Sequence, residues 1–279
     1  MKSIGLILNI KNPPMEFANE LIQWFSKKHY QIVMLSSDAL QISHPDICYV
    51  PHFDKPTEFV VALGGDGTFL RASRLTAPYN IPILAINNGH FGFLSELNPS
   101  EVFSSLETIL KGHYSLDQRT MICSQVQREN SLQPCYTGLN DVIIHRGRNS
   151  PLLTVHIQIA DEDVASFRGD GVIVATPTGS TGYSLSAGGP IIHPSARGLL
   201  VTPICSHGLF ERPIIISDHE LVRIRLENIS PNLNLLVDGQ TEVPLQENDL
   251  IVIQTSKHMA SFIRIHDYHF FSVLQKKFK

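Results

Sequence analysis

The chain has 279 residues, 43% of them hydrophobic and 17% charged, a balance that buries a core and lacks the charged tracts of disordered chains. A formal net charge of −4 supplies no cationic surface for nucleic acid, and the length favours two domains over one. Cys48, Cys123, Cys135 and Cys205 show neither zinc spacing nor the density of a disulfide framework, so free thiols in a reducing compartment are expected.

At the N-terminus, "MKSIGLILNIKNPP" carries an apolar stretch that Asn9, Lys11 and Pro13 end too early for a signal segment. No apolar run reaches the roughly 18 residues of a membrane span, so a cytoplasmic protein without a membrane partner is expected. "IGLIL" reads as a strand, and Phe17, Leu21, Trp24 and Phe25 recur at helical spacing after Pro13 and Pro14. "QIVML", "FVVAL" and "IPILAI" are short, unalternating apolar runs, the pattern of strands covered on both faces in a parallel sheet. Val102, Phe103, Leu106, Ile109 and Leu110 then trace a helical face, which closes an α/β domain over 1–115.

From about Tyr114 the pattern changes. "LLTVHIQI" and "VRIRLENI" alternate apolar with polar residues, and "NSP", "ADED", "ISPN" and "VDGQ" supply turns between them. Residues 116–257 therefore read as a β-rich, antiparallel, sandwich-like domain. The end, 258–279, turns helical: Phe270, Phe271, Leu274 and Phe278 share one face, with Lys276, Lys277 and Lys279 where cations suit the helix dipole. That helix can dock back on the first domain.

Three segments carry candidate chemistry. "FVVAL" leads directly into "GGDGTFL", Gly64 to Leu70. Three glycines around one acid leave backbone uncovered, and a strand ending in glycines before a helix near Thr68 aims N–H groups at an anion. Phosphate is the natural ligand. Asp66 would repel phosphate unless it binds a bridging metal or accepts a proton from an attacking hydroxyl, so the acid suggests transfer. The competing reading is a tight turn with Asp66 or Thr68 as N-cap. The chain contains no G-x-x-x-x-G-K-S/T, and this segment lacks G-x-G-x-x-G spacing, which counts against a standard NTPase and a standard dehydrogenase.

In "GLNDVIIHRG", Asn140 and Asp141 precede a short strand; an amide beside a carboxylate can read a nucleoside, although turn formation explains such a pair as well. The longest segment, "RGDGVIVATPTGSTGYSLSAGGPIIHP", passes from Arg168 and Asp170 through a strand into a hydroxyl- and glycine-rich loop, Thr176 to Gly189. Short donors, backbone amides and the Tyr183 ring suit a ribose, an amide or an adenine. A G-x-S-x-G elbow is absent, which removes a serine hydrolase. Thirteen histidines show no metal-ligand spacing, and Cys205 reads as a buried small residue.

With "GGDGTFLRA", "NNGHFGFL", "LNDVIIHRG", "GDGVIVATPTGSTGYSLSAGGPII", "PIC", "RPIII" and "VDGQ" in this order, nearly the whole chain resembles the NAD kinase family. The first motif is shared with diacylglycerol- and sphingosine-type lipid kinases; the long glycine- and serine-rich segment singles out NAD kinases. The resemblance implies an α/β + β fold: a Rossmann-like N-terminal domain, a β-rich C-terminal domain and a last helix returning to the first. It implies phosphorylation of the adenosine ribose 2′-hydroxyl of NAD by ATP or polyphosphate, with Mg²⁺ as the divalent cation and no assigned metal ligand. Asp66 matches the proton acceptor. Asp66, Gly67, Asn140, Asp141, Arg168, Asp170, Thr181, Gly182, Tyr183, Ser184, Leu185, Ser186 and Gln240 match dinucleotide-contacting positions. Gly64, Gly65, Gly67, Thr68 and Arg71 belong to the phosphate loop. A homo-oligomer is also implied. A catalytically silent dinucleotide sensor and a lipid kinase are the alternatives; Asp66 speaks against the first, and no basic amphipathic helix supports the second.

Overall fold

Between Met15 and Lys27, Ala18, Leu21, Ile22 and Phe25 recur three and four residues apart and are all buried, so this segment coils to put one face on a sheet. Pro14 precedes it, Glu16 lies in its first turn and Lys27 in its last, each suited to its end of the helix. The computed structural model describes residues 2–39, 44–54, 57–87, 92–97, 99–129, 131–147, 150–207, 212–229 and 233–278. Two compact units emerge, Met1–Gln118 with His258–Lys279, and Arg119–Lys257.

In the first unit, strands β1 (Ser3–Leu8), β2 (Gln31–Leu35), β3 (Ile47–Val50), β4 (Thr57–Gly64) and β5 (Ile83–Asn87) pair in parallel in the order β5-β4-β1-β2-β3. Strands β1 and β5 are buried throughout and β4 nearly so, which is why their sequences do not alternate. Helices α1 (Met15–Lys27), α2 (Asp66–Thr76) and α3 (Val102–Leu110) accompany the sheet. Residues of α1 and α3 share a core with β1, β2 and β4. The strand order runs outward from β1 one way and then from β4 the other. In open α/β sheets the carboxyl ends of strands at such a reversal are where ligands bind.

Near the chain's end, Phe262 pairs in parallel with Ile83. The buried Arg264 guanidinium donates to Asp117 Oδ2 at 2.9 and 3.1 Å, to Glu96 Oε2 at 3.0 Å and to the Leu94 carbonyl at 3.2 Å. Glu96 Oε1 in turn accepts the amides of Ile265 and His266. A buried ion pair stabilises little by itself, but this fully hydrogen-bonded one fixes the 94–96 segment to the C-terminal chain.

The second unit is antiparallel. β6 (Ser115–Arg128), within which the chain passes between units, pairs with β7 (Ser131–Leu132) and β8 (Tyr136–Gly138). Then come β9 (Asp141–His145), β10 (Leu153–Ile159), β11 (Glu162–Gly169), β12 (Gly171–Ala175), α4 (Tyr183–Ser186), β13 (Leu199–Ile204), β14 (Ile214–Ile216), β15 (Val222–Glu227), β16 (Asn234–Val237), β17 (Thr241–Pro244) and the long β18 (Leu250–Arg264), before α5 (Phe270–Lys277). One sheet runs β14-β13-β12-β9-β16-β17, and the other contains β11-β10-β15-β18. Leu153, Val155, Ile157 and Ile159 of β10 meet Val142, Val172 and Leu235 of the facing sheet in one core, a sandwich. β12 is buried at all five positions because its other face, Ile173 and Ala175, is covered by Ile192, Ala187 and Ala196. The segment after β12 is thus a packed layer of the fold.

Two expectations fail. Cys123 and Cys135 form a disulfide with Cα atoms 5.9 Å apart, whereas Cys48 and Cys205 are free. The β6–β8 pairing sets Cys123 opposite Thr137 and so brings Cys135 within reach, a contact that a separation of 12 residues conceals in the sequence. In α5 the buried residues are Phe270 and Val273, while Phe271 and Phe278 are exposed, because so short a helix docks along one narrow edge.

Candidate active site

β4 ends at the reversal of strand order, and the chain enters α2 without an intervening loop. Gly65 is the N-cap, with extended φ of −105°, and its carbonyl accepts the Thr68 amide at 2.9 Å and the Phe69 amide at 3.3 Å. The strand-to-helix turn is tight, but its N-cap is Gly65, not Asp66 or Thr68, and no side chain caps the helix. The two leading glycines have different duties. A Cβ on Gly64 would collide with the Thr68 side chain, whereas one on Gly65 would meet nothing within 4 Å. Gly64 is required by the protein's own packing; Gly65 leaves open space at a helix N-terminus, where amides and the dipole favour an anion.

Asp66 opens the helix. The residue keeps solvent contact, yet Gly92 crowds its carboxyl so closely that a Cβ there would overlap Oδ1. Loss of hydration raises its pKa above the ordinary carboxylate value, and the Lys277 ammonium opposes that rise. Such an acid holds a proton more readily than a free carboxylate. Arg71, five residues on, donates through Nη2 to the buried carboxylate of Asp38 at 2.5 Å, while its buried Nη1 has no hydrogen-bond partner among the described residues. Asn87 is buried at the end of β5, Gly92 and Phe93 continue the "NNGHFGFL" motif, and Asn88–Phe91 lie outside the described residues.

In the second unit Asn140 and Asp141 sit where β9 begins. Asp238 fixes this backbone: its Oδ2 accepts the Leu139 amide at 2.9 Å, and its Oδ1 accepts Asn140 at 2.7 Å and Asp141 at 3.3 Å. It can do so because Asp238 and Gly239 form a tight turn at φ of 52° and 62°, closed by the Gln240 amide on the Val237 carbonyl at 3.0 Å. Gln240 is exposed directly after it. Asp141, 4% exposed, has its pKa pushed up to about 7, first by burial and then by the Asp238 charge.

The 176–189 segment folds onto the same backbone. The Thr176 amide donates to the Asn140 carbonyl at 2.8 Å and its hydroxyl to Leu139 O at 2.6 Å. Gly179 lies so near Asn140 that any side chain would collide with it. A Cβ on Gly182 would stand 3.8 Å from both Asn140 Nδ2 and Asp141 Oδ2. Thr181 Oγ1 donates to Thr178 O, and Ser184 hydrogen-bonds Thr202 at 2.8 Å with both residues fully buried. The Ser184 hydroxyl therefore serves the fold. Tyr183 is 40% exposed, Ser186 is exposed and Leu185 half-buried. The fully buried Arg119 reaches Thr178 Oγ1 at 3.5 Å from beneath the segment.

Asp170 stands between β11 and β12, paired with Arg146, whose guanidinium holds its carboxyl below the usual range; the Cys205 thiol assists. Burial, then Cys205 and Asp170, raise the Tyr183 phenol. Arg168 is exposed and joins His207 through its backbone. Cys205 is exposed at a φ of 45°, not the buried filler expected, because β13 ends there and its side chain turns toward Asp170. Gly208–Glu211 lie outside the described residues. Unit 2 thus groups Asn140, Asp141 and Gly182 in one cluster and Asp170 with Tyr183 in another. Gly92, Asp38, Arg119 and Lys277 were not singled out for the site from sequence, and only the glycine of "NNGHFGFL" carried a hint.

Among the described residues, no group of three or more His, Cys, Asp or Glu side chains could hold a metal ion. No helix among them is long and apolar enough to cross a membrane.

Comparison with known proteins gives a consistent result. The profile of the ATP-NAD kinase N-terminal domain matches residues 4–114, and that of the ATP-NAD kinase C-terminal domain matches 139–265. An NAD kinase of Caldanaerobacter subterraneus is 37% identical over 99% of both chains. One of Magnetococcus marinus is 37% identical over 99% of this chain and 93% of its own. Among solved structures, a yeast NADH kinase complexed with NADH superposes with a TM-score of 0.86 at 26% identity, covering 99% of this chain and 87% of that one. An Archaeoglobus fulgidus NAD kinase in complex with ATP shares the fold at a TM-score of 0.73 and 21% identity, covering 99% and 98%.

Proposed function

The chain belongs to the ATP-NAD kinase family, and from that premise we propose that it transfers the γ-phosphoryl group of ATP to the adenosine ribose 2′-hydroxyl of NAD, with Asp66 as proton acceptor. The observation that carries this reading is the Gly65–Asp66 pair: open space at a helix N-terminus, beside an acid whose carboxyl loses hydration against Gly92 and so becomes more basic. The 2′-oxygen attacks the γ-phosphorus, a new O–P bond forms, and the bond to the β-phosphate bridging oxygen breaks. ADP leaves with that electron pair, and the hydroxyl proton passes to Asp66 and then to solvent. A loose transition state leaves the protein chiefly to position the reactants and neutralise charge.

On the acceptor side, Asn140, Asp141 and the Gly182–Ser186 turn bind the dinucleotide, Asp141 accepting hydrogen bonds from hydroxyls of the ligand. Tyr183 offers an exposed aromatic face. Mg²⁺ enters with the donor as the MgATP substrate, where it spreads charge on the phosphates.

The test is a coupled assay with MgATP and NAD, in which an NADP-specific dehydrogenase reports product. Asp66→Asn should lower kcat by about 10²–10⁴-fold, the usual worth of a general base, with the fold unchanged by circular dichroism. Turnover near that of the parent would remove Asp66 from the mechanism. Substituting polyphosphate for ATP in the same assay decides the donor.

A further inference from the structure

We propose that Lys277, on the last turn of α5, is a phosphate-binding residue of the donor site, its ammonium facing the anionic oxygens of ATP beside Asp66. The inference rests on the reading of Asp66 given above and adds a residue from the far end of the chain. Lys277 Nζ stands 5.7 Å from the centre of the Phe93 ring. That ring meets Phe270 at 6.4 Å, and the Phe93 carbonyl accepts the Tyr268 hydroxyl at 3.1 Å, so both ends of the C-terminal segment hold the same residue. Gly92, next to Phe93, lies against the Asp66 carboxyl. Lys277 is therefore brought to the Asp66 side of α5 through one ring and one glycine.

Its charge reaches Asp66, where it favours the ionised form. An exposed lysine in the last turn of a helix is ordinarily explained by the helix dipole, and Lys276 has that explanation too. What sets Lys277 apart is its position over Phe93. Among the described residues it forms no ion pair with a carboxylate, whereas Arg71, the cation nearest in sequence to the glycine loop, is held by Asp38. Phosphoryl transfer needs positive charge at the donor, and Lys277 contributes to it.

The experiment compares the full chain with Lys277→Gln, Lys277→Arg and Lys276→Gln. In the MgATP and NAD assay, Lys277→Gln should raise KM for ATP about 10- to 100-fold, the usual range for a charge-assisted phosphate contact, and change KM for NAD by less than about twofold. The acid limb of its kcat/KM profile should move to higher pH, since Asp66 loses the charge that favours ionisation. Lys277→Arg should recover most of the ATP affinity, and Lys276→Gln should match the parent. Equal KM for ATP and equal pH profiles in Lys277→Gln and parent would overturn the proposal, as would an equal loss in Lys276→Gln. Calorimetric binding of ATP and of tripolyphosphate separates this inference from the kinase reading. If the parent makes no NADP, that reading falls. Weaker binding by Lys277→Gln would still support the phosphate site, and equal binding, or none by the parent, would sink it.

Discussion

Replacing Asp141 by Asn should make the protein more stable at pH 8 and a poorer binder of NAD. Asp141 is 4% exposed and lies beside Asp238, whose carboxylate accepts three backbone amides. Burial and that neighbouring charge raise its pKa from 3.8 to about 7. The folded pKa lies above the unfolded one, so between about pH 4 and pH 7 the folded chain keeps a proton that the unfolded chain has released. Stability therefore falls as pH rises through this window, and the full cost is present above pH 7. The two pKa values set a ceiling of about 4 kcal/mol for that cost, at about 1.4 kcal/mol per unit. Local relaxation reduces it, so we expect a gain of about 1–3 kcal/mol for Asp141→Asn at pH 8 and none near pH 4. Urea midpoints measured at the two pH values give the difference directly. Loss of the carboxylate acceptor should at the same time raise KM for NAD about tenfold or more. A variant less stable than the parent at pH 8, or a gain equal at both pH values, would refute the electrostatic reasoning. A gain in stability with unchanged KM would leave the electrostatics intact and remove Asp141 from the dinucleotide site.

Two glycine variants test the division between fold and ligand. In Gly65→Ala the added methyl meets no protein atom within 4 Å, so stability should stay within about 1 kcal/mol, the scale of a weakened N-cap, while KM for ATP rises about tenfold. Unchanged ATP kinetics would show that no donor atom approaches this position. Gly171→Ala places a methyl into the Ile144 carbonyl at a φ of 156°, where β12 turns away from Asp170. It should cost about 3–5 kcal/mol, read as a lowered urea midpoint or loss of soluble protein, and near-parent stability would contradict the packing of β9 on β12.

How much of this was legible in the sequence depended on the range of the contacts. "IGLIL" and "FVVAL" declare buried parallel strands because burial on both faces removes alternation, and "LLTVHIQI" declares a half-buried antiparallel one. The run "VIVA" in β12 gives no such warning: it is apolar throughout although its sheet is antiparallel, because Ile192 and its neighbours cover the second face. Gly64 to Thr68 was readable as a strand-to-helix anion site because its geometry is local. The partners of the site residues were not. Asp238 holds Asn140, Asp38 holds Arg71 and Gly92 crowds Asp66, each across a separation set by how strands order themselves in a sheet. Nothing within a few residues of any of them carries that information.

The glycines and acids of the motifs look alike on paper, and packing divides each kind in two. Gly64, Gly179 and Gly189 are filled against by Thr68, Asn140 and Ser184, so the fold alone demands them; Gly65 faces open space. Among the acids, Asp170 and Asp238 already meet Arg146 and a set of backbone amides. Asp66 and Asp141 are the motif acids whose surroundings disfavour their own charge. A folded chain gains nothing from such an arrangement, since each ionised group there costs stability. The cost is understandable where a ligand completes the environment: a hydroxyl giving up its proton to Asp66, and hydroxyls donating hydrogen bonds to Asp141.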